Sequence, residues 1–200
     1  MTTSIAILAK APVPGFAKTR LIPSIGAHAA AVLQTRLTEQ TVQTAHAAGI
    51  GPVTLWCAPD VTHRSFRNLA ARFPIRLERQ VDGDLGARML AAFGGMPTLV
   101  IGSDCPALTP QHLRAAADGL RAADVALIPA EDGGYVLIGA RAARPALFTG
   151  IIWGTATVLT ETRKRISALD LKAIELDPLW DIDSENDLAR MERELPALAL

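Results

Sequence analysis

The chain has 200 residues, half of them hydrophobic, and its 20 basic and 20 acidic side chains cancel to a formal net charge of zero. That length suits one domain with a sizeable core, and the composition is far from that of a disordered chain. A balanced charge gives no global field to draw in nucleic acid or an anionic membrane, so any anion site has to be local.

The chain opens on an apolar run at 4–8, too short for a signal segment or a membrane span, so a cytoplasmic setting is expected. This run, and those at 53–57, 75–77, 98–101 and 125–128, read as strands apolar on both faces. Between them, alanine-rich amphipathic stretches at about 28–48, 63–72, 85–93 and 110–122 read as helices. Thr109 before Pro110 and Asp84 before Leu85 are N-cap signals, and Gly49 is a C-cap signal. The alternation predicts an α/β fold with helices on both faces of a mostly parallel sheet. After 128 the rhythm changes: Asp132-Gly133-Gly134 between apolar runs signals a hairpin-like return, which makes the sheet mixed. A helix at about 155–167, a strand at 173–176 and a helix from Glu185 complete one domain over 1–200.

Ligands of open α/β sheets bind beyond the carboxyl ends of the strands, so the residues after each strand carry the chemistry. The first such segment, AKAPVPGFAKTRL at 9–21, holds Lys10, Lys18 and Arg20, with Pro12, Pro14 and Gly15 shaping its path, and no acid. A lysine point charge, a forked guanidinium and exposed backbone N–H groups suit a pyrophosphate. Neither a Walker loop nor G-x-G-x-x-G is present, which sets aside P-loop NTPases and Rossmann dehydrogenases. In QVDGDLGAR at 80–88, Gly83 and Gly86 either let backbone approach a base or ribose or serve turn and packing.

Asp104, after the fourth strand, is a candidate ligand for Mg²⁺ or Mn²⁺, or else a turn aspartate capping its own backbone. A second metal carboxylate is available at Asp181 or Asp183, and spacing alone does not separate the two. Glu131 and Asp132 have no evident structural duty in the hairpin and are candidates to meet an acceptor hydroxyl as general base. Gly133, Gly134, Tyr135 and Trp153 lie where a substrate could be bound, although a tryptophan there fits a core equally well. Cys57 and Cys105 have no CxxC spacing and read as buried free thiols, the four histidines lack metal spacing, and no GxSxG elbow occurs.

Taken in order, AKAPVPGFAKTRL, GDLGARM, GSDCPAL, AEDGGYVLIGA, WGTATVLTET and DIDSENDL resemble a bacterial family of the nucleotide-diphospho-sugar transferase superfamily. Members of that family are labelled arsenosugar-biosynthesis glycosyltransferases or radical-SAM/selenodomain-associated transferases. The resemblance implies a GT-A-like fold, with Asp104 as the metal and diphosphate aspartate and Asp183, rather than Asp181, as the second metal carboxylate. It also implies that Lys18 and Arg20 meet phosphates. Two departures stand out: the glycine-rich LAGGxSxRMG opening of nucleotidyltransferases is replaced by a proline-bearing loop, and GSDCP offers one acid where many GT-A enzymes carry D-x-D. The expected activity is therefore metal-dependent glycosyl transfer from a nucleotide sugar to a small-molecule acceptor. The alternatives are nucleotidyl transfer from a nucleoside triphosphate, resembling phospholactate or molybdenum-cofactor guanylyltransferases, and a non-catalytic nucleotide-sugar binder.

Overall fold

Seven strands occupy Ser4–Lys10 (β1), Val53–Ala58 (β2), Ile75–Arg79 (β3), Thr98–Ile101 (β4), Val125–Pro129 (β5), Tyr135–Ala140 (β6) and Ala173–Glu175 (β7) in the computed structural model, which describes residues 1–198. They form one sheet in the order β3-β2-β1-β4-β6-β5-β7. β6 runs antiparallel to both β4 and β5, while the other neighbours pair in parallel. The predicted hairpin return is thus β5–β6. Its consequence for strand order was not legible in the sequence: β6 inserts between β4 and β5.

Near-continuous apolar strands follow from burial on both faces. Ile5, Ile7 and Ala9 of β1 join Leu55, Leu99, Ile101, Phe66 and Leu113 in one core layer. Ala6 joins Val100, Ile138, Met89, Phe148 and Leu159 in the other. Each fully buried Leu, Ile or Phe contributes roughly 1.5–3 kcal/mol, so these two layers carry most of the drive to fold.

Among the described residues, six α-helices flank the sheet: Ile22–Ala48 (α1), Arg64–Arg72 (α2), Leu85–Ala91 (α3), Pro110–Gly119 (α4), Val158–Ala168 (α5) and Glu185–Glu194 (α6). α1 is interrupted at Gly26, whose φ of 79° and ψ of 159° are not helical, so its regular part begins close to the predicted start. The cap signals hold. The Asp84 side chain accepts from Ala87 N at 2.8 Å, and Thr109 and His112 form a reciprocal capping box. α5 starts later than expected because Thr155–Thr157 form a turn, in which Val158 N donates to Thr155 O and the Thr155 hydroxyl to Ile152 O. A third cluster, with Leu33 and Leu37 of α1, Leu188 and Met191 of α6, and Trp180 and Ile182, fastens the last segment against the middle of α1. Among the described residues, no helix is long and apolar enough to cross a membrane.

From β1 the chain builds outward through β2 to β3, then returns to place β4 on the other side of β1. The topological switch point therefore lies between β1 and β4, and their carboxyl ends are where this architecture opens a crevice.

Candidate functional site

The loop after β1 turns at Gly15 (φ 85°), and Phe16 N and Ala17 N both donate to Val13 O. Lys18 then adopts a left-handed conformation, φ 47° and ψ 46°. That conformation costs a non-glycine residue on the order of 1–3 kcal/mol, so something must hold it. Three acceptors do. The Lys18 Nζ donates to Ile182 O at 2.6 Å and lies 3.3 Å from Asp104 Oδ2 and 3.7 Å from Asp183 Oδ1. Its side chain is only 4% exposed, whereas the two carboxylates are 45% and 39% exposed. Arg20 reaches Asp183 Oδ2 from the solvent side at 2.8 Å.

The segment carrying Asp183 is brought in by backbone pairing. Leu179 N donates to Pro129 O, Glu131 N to Leu179 O, and Ile182 N to Asp104 O at 3.1 Å. Ile182 thus joins both halves of the site, its N–H bonded to the Asp104 backbone and its carbonyl to Lys18. Gln34 supports the site from α1. Its buried amide donates to Ser103 Oγ at 3.0 Å, and Ser103 Oγ lies 3.4 Å from Asp104 Oδ1. The signal for Gln34 was available in the sequence as an uncharged polar residue between Leu33 and Leu37 on the buried face of α1.

Two cavities meet at Ser103 and Asp104. One, of about 360 Å³, is lined by Lys10, Lys18, Arg20 and Arg88 together with Gln80 and Asp183. It shares Lys10, Phe16, Gln80 and Arg88 with an outer cavity of about 560 Å³ that extends past Val81. Phe16, 66% exposed at the tip of the loop, was not singled out from the sequence. The other cavity, of about 280 Å³, lies on the β4–β6 side and is lined by Leu85, Met89, Tyr135, Val136 and Asp181 as well as Asp104.

Asp181 is the perturbed acid of the site. Burial first, then the nearby charges of Asp132, Asp183 and Asp104, push its carboxyl up from 3.8 to about 6. Burial likewise pushes the Cys105 thiol up to about 12 and raises the Tyr135 phenol.

The remaining predicted residues are distributed as follows. Glu131 has a structural duty after all: it accepts from Arg190 Nη1 at 2.8 Å, and that guanidinium lies 4.5 Å from the centre of the Trp180 ring. Asp132 Oδ1 accepts from Gly134 N at 2.8 Å, closing the hairpin turn. Gly133 sits at φ 92° against the Ala156 backbone, where a side chain has no room. Gly83 follows Asp82, which lines the outer cavity, and its carbonyl accepts from Arg88 Nε at 3.2 Å. Gly86 lies against the core: a Cβ there would come within 2.5 Å of Phe148 O and 2.8 Å of Trp153 Cζ2, so close packing accounts for it. Trp153 packs between Gly86 and the edge of the Tyr135 ring. Pro12 faces the α1–α2 side, away from the cation-lined cavity.

Among the described residues, no group of three or more His, Cys, Asp or Glu side chains is placed to hold a metal ion. Two carboxylates converging on one cation fit a different arrangement, in which a hard divalent ion takes one or two protein carboxylates and completes its shell with phosphate oxygens and water.

Residues 41–155 match the family model described as "Uncharacterized protein conserved in bacteria (DUF2064)". The chain belongs to that family. No curated protein matches the sequence. Among solved structures, a Desulfovibrio desulfuricans G20 protein provisionally assigned as a nucleotide-diphospho-sugar transferase superposes with a TM-score of 0.86 at 29% identity, over 98% of this chain and 90% of that one. A nucleotidyl transferase from Methanothermobacter gives 0.67 at 17% identity, over 98% of each chain. Glucosyl-3-phosphoglycerate synthase from Mycobacterium tuberculosis, solved with Mn²⁺, UDP and glucosyl-3-phosphoglycerate, gives 0.58 at 12% identity, over 98% of this chain and 78% of that one. This DUF2064 member thus has the GT-A-like mixed sheet shared by nucleotidyl and sugar transferases.

Proposed function

We propose that the chain is a metal-dependent glycosyltransferase, one domain over residues 1–200, that uses a nucleotide-diphospho-sugar and a small-molecule acceptor. The observation that carries this reading is the Lys18 ammonium facing Asp104 and Asp183 at the switch point, on the wall of a cation-lined cavity. Asp104 and Asp183 are the residues to hold Mg²⁺ or Mn²⁺; such an ion, when bound, offsets charge on the departing diphosphate. Lys18 and Arg20 hold the diphosphate as fixed charges and take up the negative charge that develops as the glycosidic bond breaks. The nucleoside extends into the outer cavity, with Phe16 available to stack on the base and Lys10 on its wall, while the turns at Gly15 and Gly83 set the course of the two loops beside it. Asp132 is the carboxylate assigned to the acceptor hydroxyl, with Gly133, Gly134 and Tyr135 shaping that side. Glu131 is taken up by Arg190.

The fold's likeness to a nucleotidyl transferase, and a cavity with four cations, keep a second reading in play: transfer of a nucleotidyl group from a triphosphate. The resemblance to arsenosugar-biosynthesis transferases favours the first. Two buried free thiols support a reducing, cytoplasmic setting. Thermal-shift screening of nucleoside triphosphates and nucleotide sugars with Mg²⁺ or Mn²⁺ identifies the donor, because stabilisation grows with ligand occupancy. Release of nucleoside diphosphate from that donor supports glycosyl transfer, release of pyrophosphate supports the second reading, and no metal-dependent shift overturns both.

A further inference from the structure

The cavity on the β4–β6 side carries information about the acceptor. Its walls are apolar where Leu85, Met89 and Val136 contribute, and its charged lining residues are Asp104 and Asp181. Among the described residues, no Lys, Arg or His lines it. Of the cations close by, Lys18 pairs with Asp104 and, together with Arg20, with Asp183, and Arg190 pairs with Glu131 and Glu194; among the described residues Asp181 is the wall carboxylate left without an ion pair. Arg88, from the same helix as Leu85 and Met89, faces the cation-lined cavity and donates to Gly83 O. Asp132 adds negative charge close to Asp181.

Resting on the glycosyl-transfer reading, we propose that this cavity is the acceptor site and that it takes an uncharged or cationic hydroxyl compound with an apolar body, excluding phosphorylated acceptors. A phosphorylated acceptor would bring two negative charges into a space whose lining supplies no cation and where the Asp181 carboxylate, with Asp132 close by, has no ion-pair partner among the described residues. Unpaired like charges in a partly desolvated cavity are a strong means of rejection. A neutral or amino alcohol meets no such penalty, and its hydroxyl can approach Asp132 beside Asp181 while its carbon skeleton covers Leu85 and Met89.

The test reads cavity charge independently of turnover. Leu85 is 43% exposed at the first position of α3, and Phe16 is 66% exposed on the cation-lined side. In Leu85→Cys and Phe16→Cys variants, thiol modification rates are compared for 2-aminoethyl and 2-sulfonatoethyl methanethiosulfonate at low salt. Rates are corrected for thiolate fraction with the neutral methyl reagent and for the buried native thiols with the parent protein. The cationic reagent is expected to lead by about fivefold or more at position 85 and the anionic one at position 16. Adding Asp181→Asn is expected to shrink the preference at 85. An equal or inverted ratio at position 85 overturns the proposal. A second arm follows nucleoside diphosphate release with serinol, 1-phenyl-1,2-ethanediol and glycerol 3-phosphate. Stimulation by the first two supports the acceptor class, and stimulation chiefly by glycerol 3-phosphate overturns it. If no nucleotide binds with Mn²⁺, the functional reading fails by itself, and the labelling ratios still decide the charge of the cavity.

Discussion

On the β1–β3 side of the Ser103–Asp104 turn, the cavity wall presents Lys10, Lys18, Arg20 and Arg88; on the β4–β6 side, it presents Leu85, Met89, Tyr135 and Asp181. The whole chain is electroneutral, so this contrast is produced by placement alone. Strand order sets it up, because the switch point splits the sheet edge into two half-sites and the Ile182 segment closes the gap between them. One half-site is suited to a polyanion and the other repels it, with Asp104 on the wall of both.

The largest break in that contrast is expected from Asp104→Asn. If Asp104 holds the ion that both half-sites share, turnover falls on the order of 10²–10³-fold or more, and the nucleotide's thermal shift stops depending on Mn²⁺. Retention of Mn²⁺-dependent binding would move the metal site elsewhere. Lys18→Met is next. It removes the ammonium that offsets the repulsion between two carboxylates, and turnover is expected to fall on the order of 10²-fold. Because both carboxylates are substantially exposed, the stability loss is held to about 1–2 kcal/mol. Mn²⁺ alone should bind roughly tenfold tighter or more in this variant, since a competing cation is gone. A greater Tm gain with Mn²⁺ than in the wild type is the readout. Equal gains would show that Lys18 does not contend for the metal position.

Phe16→Ala tests the polyanion side without touching charge. Stacking of a base on an aromatic ring is worth about 1–3 kcal/mol, so nucleotide affinity is expected to fall roughly tenfold or more. The exposed side chain contributes little to folding, and Tm without ligand should hardly change. Unaltered affinity by calorimetry would place the base away from the outer cavity.

What could be read in advance separates along physical lines. Strand positions, the caps at Asp84 and Thr109, and the hairpin depend on local patterning, and each is found close to where the pattern puts it. The convergence of Lys18, Asp104 and Asp183 was also legible, because strand ends of a parallel sheet meet at one edge and each residue follows a strand or precedes the last helix. Contacts between distant segments left no local trace. Glu131 and Arg190 are 59 residues apart in sequence, and nothing in the hairpin announces their ion pair. Gly86 was open to two readings, backbone approach to a ligand or close packing, and it meets Phe148 and Trp153; an absent side chain leaves room for either. The division into two cavities of opposite character depends on which way Arg88 and Met89 turn from one short helix, and periodicity over seven residues does not fix that.

The smallest effect sharpens the acidic half-site. Asp181 titrates near pH 6 in the folded chain against about 3.8 unfolded, because burial and three neighbouring carboxylates disfavour its charge. The folded chain therefore binds the extra proton, and this residue lowers stability progressively as pH rises from about 4 to about 6 and throughout the range above. Discounted for its partial exposure, the cost is on the order of 1–2 kcal/mol at neutral pH. Asp181→Asn is expected to raise Tm by roughly 2–6 °C at pH 7.5 and to leave it unchanged at pH 4. The same increment at both pH values would trace the gain to packing rather than to charge. If the increment vanishes at pH 4 while the variant loses discrimination between serinol and glycerol 3-phosphate, charge is the shared cause. An acid retained where it weakens the fold then has its use in the ligand it admits.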